Sequence, residues 1–296
     1  KSKYLATILA TFFATLDVLF RKADIVHYHC LGPSVFSFLP RIFGKKVVVT
    51  IHALDWKRKK WPFFAKLFLW ASQIPALYFP NRTIVVSKNM AKRFGARVTY
   101  IPNGINPPQN HPEALSQYPG WEKAKFILFA GRITEEKGIE CLIKAFNGIK
   151  SDFQLVIAGE AIYAKRYLDY LQSIAGENTV FVGQIDSRAL AFFYSQAYLV
   201  VFPSQIEGLS LALLEAASFG KCLVTSDIPE FQEVLGDEGI YFQQGNCQEL
   251  KDKLEYLISH PEEVKNKGSQ ARKIAAGYNW DNIVESLDSI YNQLLK

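Results

Sequence analysis

The chain has 296 residues, enough for two domains of ordinary size, and its 49% hydrophobic and 21% charged composition excludes a disordered or low-complexity protein. Net charge is +6 but unevenly spread: residues 1–105 carry +14 and the remainder −8. The first part is therefore expected to meet an anionic surface, unless the charge serves solubility alone.

The segment 4–20 (YLATILATFFATLDVLF) sets Leu5, Ile8, Leu9, Phe12, Leu16, Leu19 and Phe20 at helical spacing, with Ala and Thr between them. It reads as a buried amphipathic helix. The competing reading is a membrane anchor, for which it is short and carries Asp17. No signal-peptide cleavage pattern comes after it. Apolar, β-branched runs then alternate with helical patterns: 24–29 (DIVHYH), 46–51 (KVVVTI), 83–86 (TIVV), 98–101 (VTYI), 126–129 (FILF), 154–158 (QLVIA), 179–182 (TVFV), 199–202 (LVVF) and 222–225 (CLVT). Such near-continuous apolar strands predict parallel sheets covered on both faces, hence an α/β fold with two Rossmann-like, doubly wound domains.

Pro102, Pro107, Pro108, Pro112 and Pro119 punctuate the stretch from Pro102 to about Gly120, which reads as a linker or as one long surface loop. Taken as a linker, it divides the chain into domains 1–106 and 107–278. The four cysteines (Cys30, Cys141, Cys222, Cys247) are scattered and form no CxxC pair. They predict reduced thiols in a cytoplasmic protein, not a disulfide framework or a zinc site.

Two regions carry chemistry. In 199–233 a strand runs out at Pro203, a short loop bears Glu207 and Gly208, and a helical period begins after Ser210 and ends near Gly220. Gly208, Leu209 and Ser210 thus lie where backbone N–H groups point out of a helix start, a site suited to a diphosphate. Glu207 stands just ahead of that helix and Glu215 inside it, so one carboxylate can face a sugar while the other accepts from ribose hydroxyls. In the first half, His27 and His29 share one face of a strand and His52 comes directly after the next. His52 is either a site residue at a strand end or a hydrogen-bonded structural histidine. A metal site from His27, His29, His52 and Asp55 is the weaker alternative, because no matching carboxylate–histidine set recurs later in the chain.

The run Phe202–Gly220, together with Gly131-Arg132-Ile133-Thr134-Glu135-Glu136-Lys137-Gly138 after the strand at 126–129, resembles the donor site of retaining GT-B glycosyltransferases of the glycosyltransferase family 4 type. The resemblance spans nearly the whole chain. It implies that Arg132 and Lys137 hold a donor diphosphate and that Glu207 sits near the transferred sugar and α-phosphate. It places Glu215 on the ribose and Gly183, Gln184 and Ile185 beside the base. Gly159 and Glu160 lie at a strand end, where ligands approach open α/β sheets. His52 becomes the histidine that contacts the sugar, with His29 and Asp55 as acceptor-side candidates, in an expected cleft between domains that closes on substrate. Helix 279–296 is expected to cross back to the first domain. The family's opening strand and Gly-rich loop are missing ahead of Lys1, so the first domain is expected to be incomplete at its N-terminus.

The reaction implied by the resemblance is transfer of a sugar from a nucleoside diphosphate donor to a hydroxyl acceptor, lipid-linked or saccharide, with retention and with no metal or other cofactor. The alternative is a non-catalytic nucleotide-sugar-binding fragment. The segment from Trp56 to Phe64 (WKRKKWPFF) interleaves cations with aromatics, as suits an anionic bilayer. The same composition could bind nucleic acid, but a lipid-linked acceptor favours the membrane. The protein is thus expected to be cytoplasmic and peripheral on the inner face of the membrane.

Overall fold

The computed structural model describes all residues except 1, 2, 59, 60, 110, 112, 114–117, 119, 122, 123, 162 and 163. Pro112 and Pro119 of the expected linker, and Lys59 and Lys60 of the basic segment, lie outside the described residues. The chain divides into two compact units, Lys1–Asn103 with Trp280–Lys296, and Gly104–Asn279.

The first unit is built on four parallel strands in the order β1-β2-β3-β4: β1 (Ile25–His29), β2 (Lys46–Ile51), β3 (Arg82–Val85) and β4 (Thr99–Tyr100). The register sets His29 beside Thr50 and Ile51 beside Val85. Consecutive valines in β2 bury both faces, which requires helices on each side. One cover is the C-terminal helix α13 (Trp280–Leu295): Ile283, Ile290 and Leu294 recur at helical spacing and pack on Val48, Ile84 and Ile101. On the remaining connections lie α1 (Lys3–Leu19), α2 (Phe38–Ile42), α3 (Phe63–Ala71), α4 (Gln73–Tyr78) and α5 (Lys88–Phe94).

Segment 4–20 does form a helix, but its buried stripe is not the one expected. Thr15 is buried and its hydroxyl hydrogen-bonds the Tyr28 phenol at 2.9 Å. Leu9 and Phe20, expected inside, are exposed, as is Phe13. Buried polar groups need partners, and a threonine that finds one can occupy the inner face. Among the described residues no helix is long and apolar enough to cross a membrane.

The second unit is a six-stranded parallel sheet in the order β10-β9-β8-β5-β6-β7: β5 (Phe126–Ala130), β6 (Gln154–Ala158), β7 (Thr179–Gly183), β8 (Leu199–Phe202), β9 (Cys222–Ser226) and β10 (Ile240–Phe242). Three residues at the sheet edge make β10 too short to show a period in sequence. The helices are α6 (Ile139–Asn147), α7 (Lys165–Ile174), α8 (Ser187–Gln196), α9 (Leu211–Ser218), α10 (Pro229–Leu235), α11 (Cys247–Ser259) and α12 (Pro261–Ala275). Ile127, Phe129, Leu155, Ile157 and Val201 point to one face and pack on Leu142, Phe146, Leu171, Leu250 and Leu254 of α6, α7 and α11. The opposite face meets α8 and α10 through the Phe126–Phe193 and Phe202–Phe231 ring contacts. The result is two doubly wound parallel sheets. Where the chain enters and leaves the second unit, Ile105 N–H donates to the Tyr278 carbonyl at 2.8 Å.

The cysteine expectation is corrected. Cys141 on α6 and Cys247 at the start of α11 form a disulfide, with Cα atoms 5.1 Å apart and a sequence separation of 106; Cys30 and Cys222 are free. The two helices share one face of the sheet, and this juxtaposition is invisible in spacing. Reduction should lower unfolding stability by about 2–4 kcal/mol, because a loop of this length no longer restricts the unfolded chain. Urea titrations with and without reductant measure the difference, and Cys247→Ser should remove it.

Candidate active site

Strand order places a topological switch at β5. The connection leaving β5 runs to β6 on one side, while β8 lies on the other, so the loops after β5 and β8 diverge at the carboxyl edge of the sheet. Those loops are 131–138 and 203–210. They are held together by backbone. Gly138 adopts φ +68°, and a β-carbon there would lie 2.0 Å from the Pro203 carbonyl oxygen. Gln205 N–H donates to the Glu136 carbonyl at 2.8 Å. Only glycine permits the first approach, and that approach delivers Lys137 to the second loop.

Lys137 Nζ donates to Glu207 Oε1 at 2.5 Å, and the same oxygen accepts from Ser204 Oγ at 2.8 Å. Ser204 is itself fixed, since its carbonyl accepts from Ser226 Oγ at the end of β9. The pair is largely shielded, with side-chain exposures of 16% for Lys137 and 9% for Glu207. Arg132 lies beside it, 3.9 Å from the buried Glu136 carboxylate, with its guanidinium half exposed. The constellation is thus a rigid carboxylate–ammonium pair with a freer cation next to it. Ser204 and Glu136 are not among the residues expected from sequence; the Pro-Ser step and the paired glutamates were the only signals of them.

The neighbouring strand ends complete the edge. Gly159 N–H donates to the Gly183 carbonyl at 2.8 Å, and Gly131 N–H to the Ala158 carbonyl at 3.0 Å. The loops after β5, β6 and β7 therefore stack backbone on backbone, bringing Gly159 and Gly183 beside Gly131, with Gln184 and Ile185 next in the chain. Glu207 and Gly208 precede α9, whose N-cap is Ser210, with Leu209 and Ser210 buried. Glu215 lies one turn into α9. It lines a depression of about 360 Å³ with Asn106, Ser187, Tyr194 and Ser218, where burial raises its carboxyl pKa.

In the first unit the structure brings His27, His29 and His52 together. His29 Nδ1 and His52 Nε2 share a hydrogen bond of 3.0 Å, and the His27 ring stacks on His29 with centroids 4.3 Å apart. His27 is committed on both nitrogens, to Tyr291 Oη of α13 at 2.6 Å and Thr50 Oγ1 at 2.8 Å. Such saturation makes His27 structural and gives no support to a metal site there. Among the described residues no group of three or more His, Cys, Asp or Glu could hold a metal ion. Asp55 pairs with Arg58 at 3.3 Å, in a short 3-10 turn beyond His52. Tyr291, absent from the expected set, could not be foreseen 264 residues away.

Burial, then repulsion from protonated His29 and His52, pulls His27 down to about 4. Burial also lowers His29, and burial together with His29 lowers His52. As pH falls below the ordinary histidine value of 6.5, the unfolded chain takes up protons that folded His27 refuses until about 4. The unfolded state then binds more protons, so stability is full above that value and is lost through the window down to about 4. The expected loss is on the order of 1–2 kcal/mol after allowing for partial solvent screening. Chemical denaturation at several pH values measures it, and His27→Gln should flatten the profile.

Two family models match this chain, one described as glycosyl transferases group 1 over residues 113–274 and one as glycosyltransferase family 4 over residues 2–109. The chain belongs to the group 1 glycosyl transferases. The transferase is 24% identical over 275 residues to the D-rhamnosyltransferase WbpZ of Pseudomonas aeruginosa, covering 88% of this chain and 70% of that one. It is 28% identical over 292 residues to the phosphatidyl-myo-inositol mannosyltransferase of Mycobacterium leprae, covering 90% and 73%. Among solved structures it is similar to Anabaena HepE in complex with UDP and glucose, with a TM-score of 0.84, 17% identity and coverage of 96% and 81%. The two parallel α/β units of the transferase are those of the GT-B fold.

Proposed function

We propose that this glycosyltransferase moves a sugar from a nucleoside diphosphate donor to a hydroxyl acceptor with retention at the anomeric carbon, in assembly of a surface polysaccharide or glycolipid. The observation that carries this reading is the Lys137–Glu207–Ser204 constellation at the switch point, with Arg132 beside it. The bond from the anomeric carbon to the leaving phosphate breaks with its electron pair passing to phosphate, and negative charge grows on the diphosphate. In this reading Lys137, held by Glu207, and the freer Arg132 meet that charge as it develops, an arrangement that lowers such a barrier. Arg132 can engage two phosphate oxygens at once, while Lys137 acts as a point charge. Backbone N–H groups of Gly208, Leu209 and Ser210 at the start of α9 add to the same site.

In this proposal Glu207 orients the donor sugar, Glu215 accepts from the ribose, and Gly159, Gly183, Gln184 and Ile185 border sugar and base. His52 holds the transferred sugar, with His29 and Asp55 on the acceptor side. The acceptor oxygen bonds to the anomeric carbon on the face the phosphate leaves, and the acceptor proton passes to the leaving phosphate oxygen. With these cations in place the reaction is assigned no metal. The acceptor is lipid-linked or a saccharide. The +14 charge of residues 1–105 supports a protein peripheral on an anionic membrane surface.

Calorimetric titration with a panel of nucleoside diphosphates, then turnover with the matching sugar donor with and without EDTA, tests the assignment. Binding, EDTA-insensitive transfer and a product with the donor's anomeric configuration by NMR are expected. An inverted product overturns retention, and binding without turnover on any acceptor points to the nucleotide-sugar-binding alternative.

A further inference from the structure

Helices α3 and α4 are turned inside out for a protein in water. Their inward side is small or polar: Ser72, Gln73 and Ala76 are buried beside Leu69. The two polar side chains satisfy themselves locally, Ser72 on the Phe68 carbonyl and Gln73 on the Trp70 carbonyl. The outward side is large and apolar: Phe63 is 72% exposed, Phe64 81%, Leu67 50%, Trp70 51%, Ile74 57% and Tyr78 61%. Phe63, Leu67, Trp70, Ile74 and Tyr78 succeed one another at steps of three and four, so they form one stripe across both helices. Pro75 lacks the N–H that would continue the helix, which breaks it at Ser72 without rotating the stripe away. A contiguous apolar face of this kind marks an interaction surface.

Charge selects what covers it. Residues 56–112 contain ten Lys and Arg and not one Asp or Glu. Two of these cations sit at the ends of the stripe: the Arg97 guanidinium lies 5.1 Å from the Tyr78 ring centre, and that of Arg93 5.6 Å from the Trp56 ring centre beside the start of α3. Cations around exposed aromatics fit an anionic bilayer, where apolar side chains enter the acyl boundary and cations meet headgroups. It also moves the expected contact along the chain. Trp56 and Trp61, which made 56–64 attractive in sequence, have their indole nitrogens buried.

We propose that the α3–α4 face, through Phe63, Phe64, Leu67, Trp70, Ile74 and Tyr78, is the surface by which this protein inserts shallowly into an anionic lipid interface. It deepens the membrane assignment above but stands apart from the transferase chemistry, since neither donor nor acceptor enters its test.

Flotation of the full chain with phosphatidylcholine vesicles, and with vesicles that also contain phosphatidylglycerol, measures partitioning. Strong binding to the anionic vesicles that weakens with salt is expected. Phe64→Glu and Trp70→Glu should each lower that partitioning about tenfold or more. Arg97→Gln should lower it about fivefold on anionic vesicles and little on neutral ones. Brominated lipid should quench tryptophan emission of the parent, and less so that of Trp70→Phe. Thermal melts of the variants should match the parent, because these side chains touch little of the core. Failure of the parent to float with anionic vesicles, or undiminished flotation of both glutamate variants, overturns the proposal. So does a dimer in light scattering that Phe64→Glu dissociates while lipid binding is absent, since a second copy would then cover the face.

Discussion

Lys137→Ala should lower kcat/KM for sugar transfer by roughly 10²–10³ or more, the loss seen when one fixed donor to developing negative charge is removed. It should also destabilise the second unit. Glu207 would keep only the Ser204 hydroxyl at 2.8 Å while remaining 9% exposed at its side chain. Leaving one member of a shielded ion pair without its partner costs about 3–5 kcal/mol. The two effects separate in the double variant Lys137→Met with Glu207→Met, which removes both charges and should recover much of the stability while transfer stays absent. Denaturant titration and steady-state kinetics on the three proteins give the answer. Near-parental kcat/KM in Lys137→Ala would falsify the role assigned to this ammonium. Donor titration adds a further distinction, because a lysine that contacts the diphosphate should matter for binding of the nucleoside diphosphate as well as for the rate.

The second large effect is expected at Gly159→Ala. The added β-carbon would meet the Gly131 carbonyl oxygen at 1.8 Å, with φ +153° in a region that L side chains rarely adopt. Backbone stands on both sides of this contact, so no side chain can swing away. One of the two loops must move, and the hydrogen bonds Gly131–Ala158 and Gly159–Gly183 are strained with it. A loss of about 3–5 kcal/mol is expected, in the range reserved for overpacking combined with backbone strain. Donor affinity should fall too, because Arg132 is carried by the displaced loop. Gly236→Ala is the control: its φ is +52° but nothing lies within 4 Å of the new carbon, so it should cost only about 1 kcal/mol. Equal losses for the two variants would show that backbone conformation, not close approach, dominates at position 159.

Much of this site was legible because its parts are contiguous. The motif from Gly131 to Gly138 and the run from Pro203 to Gly220 each carry their turn, their charge and the next helix within a few residues. Nine runs of apolar β-branched residues marked nine of the ten described strands for the same reason, since period and composition are local properties. The tenth, β10, has three residues and nothing to distinguish it from a loop. Glu215, eight positions from Glu207, lines a depression with Asn106, Ser187 and Tyr194, neighbours that spacing along the chain does not show.

By itself the sequence determined the α/β class, the parallel strands, the cation-bearing loop and the carboxylate loop, and the basic character of the first hundred residues. Tertiary structure alone decided which distant residues meet: Lys137 with Glu207, His27 with Tyr291, Cys141 with Cys247. It also decided which side of a helix faces inward, burying Thr15, Ser72 and Gln73 while leaving Phe13, Phe64 and Trp70 outside. The physical reason is the same in each case. Hydrophobic period ranks faces by composition, but packing and hydrogen-bond satisfaction choose between them, and both depend on neighbours that only the folded chain supplies.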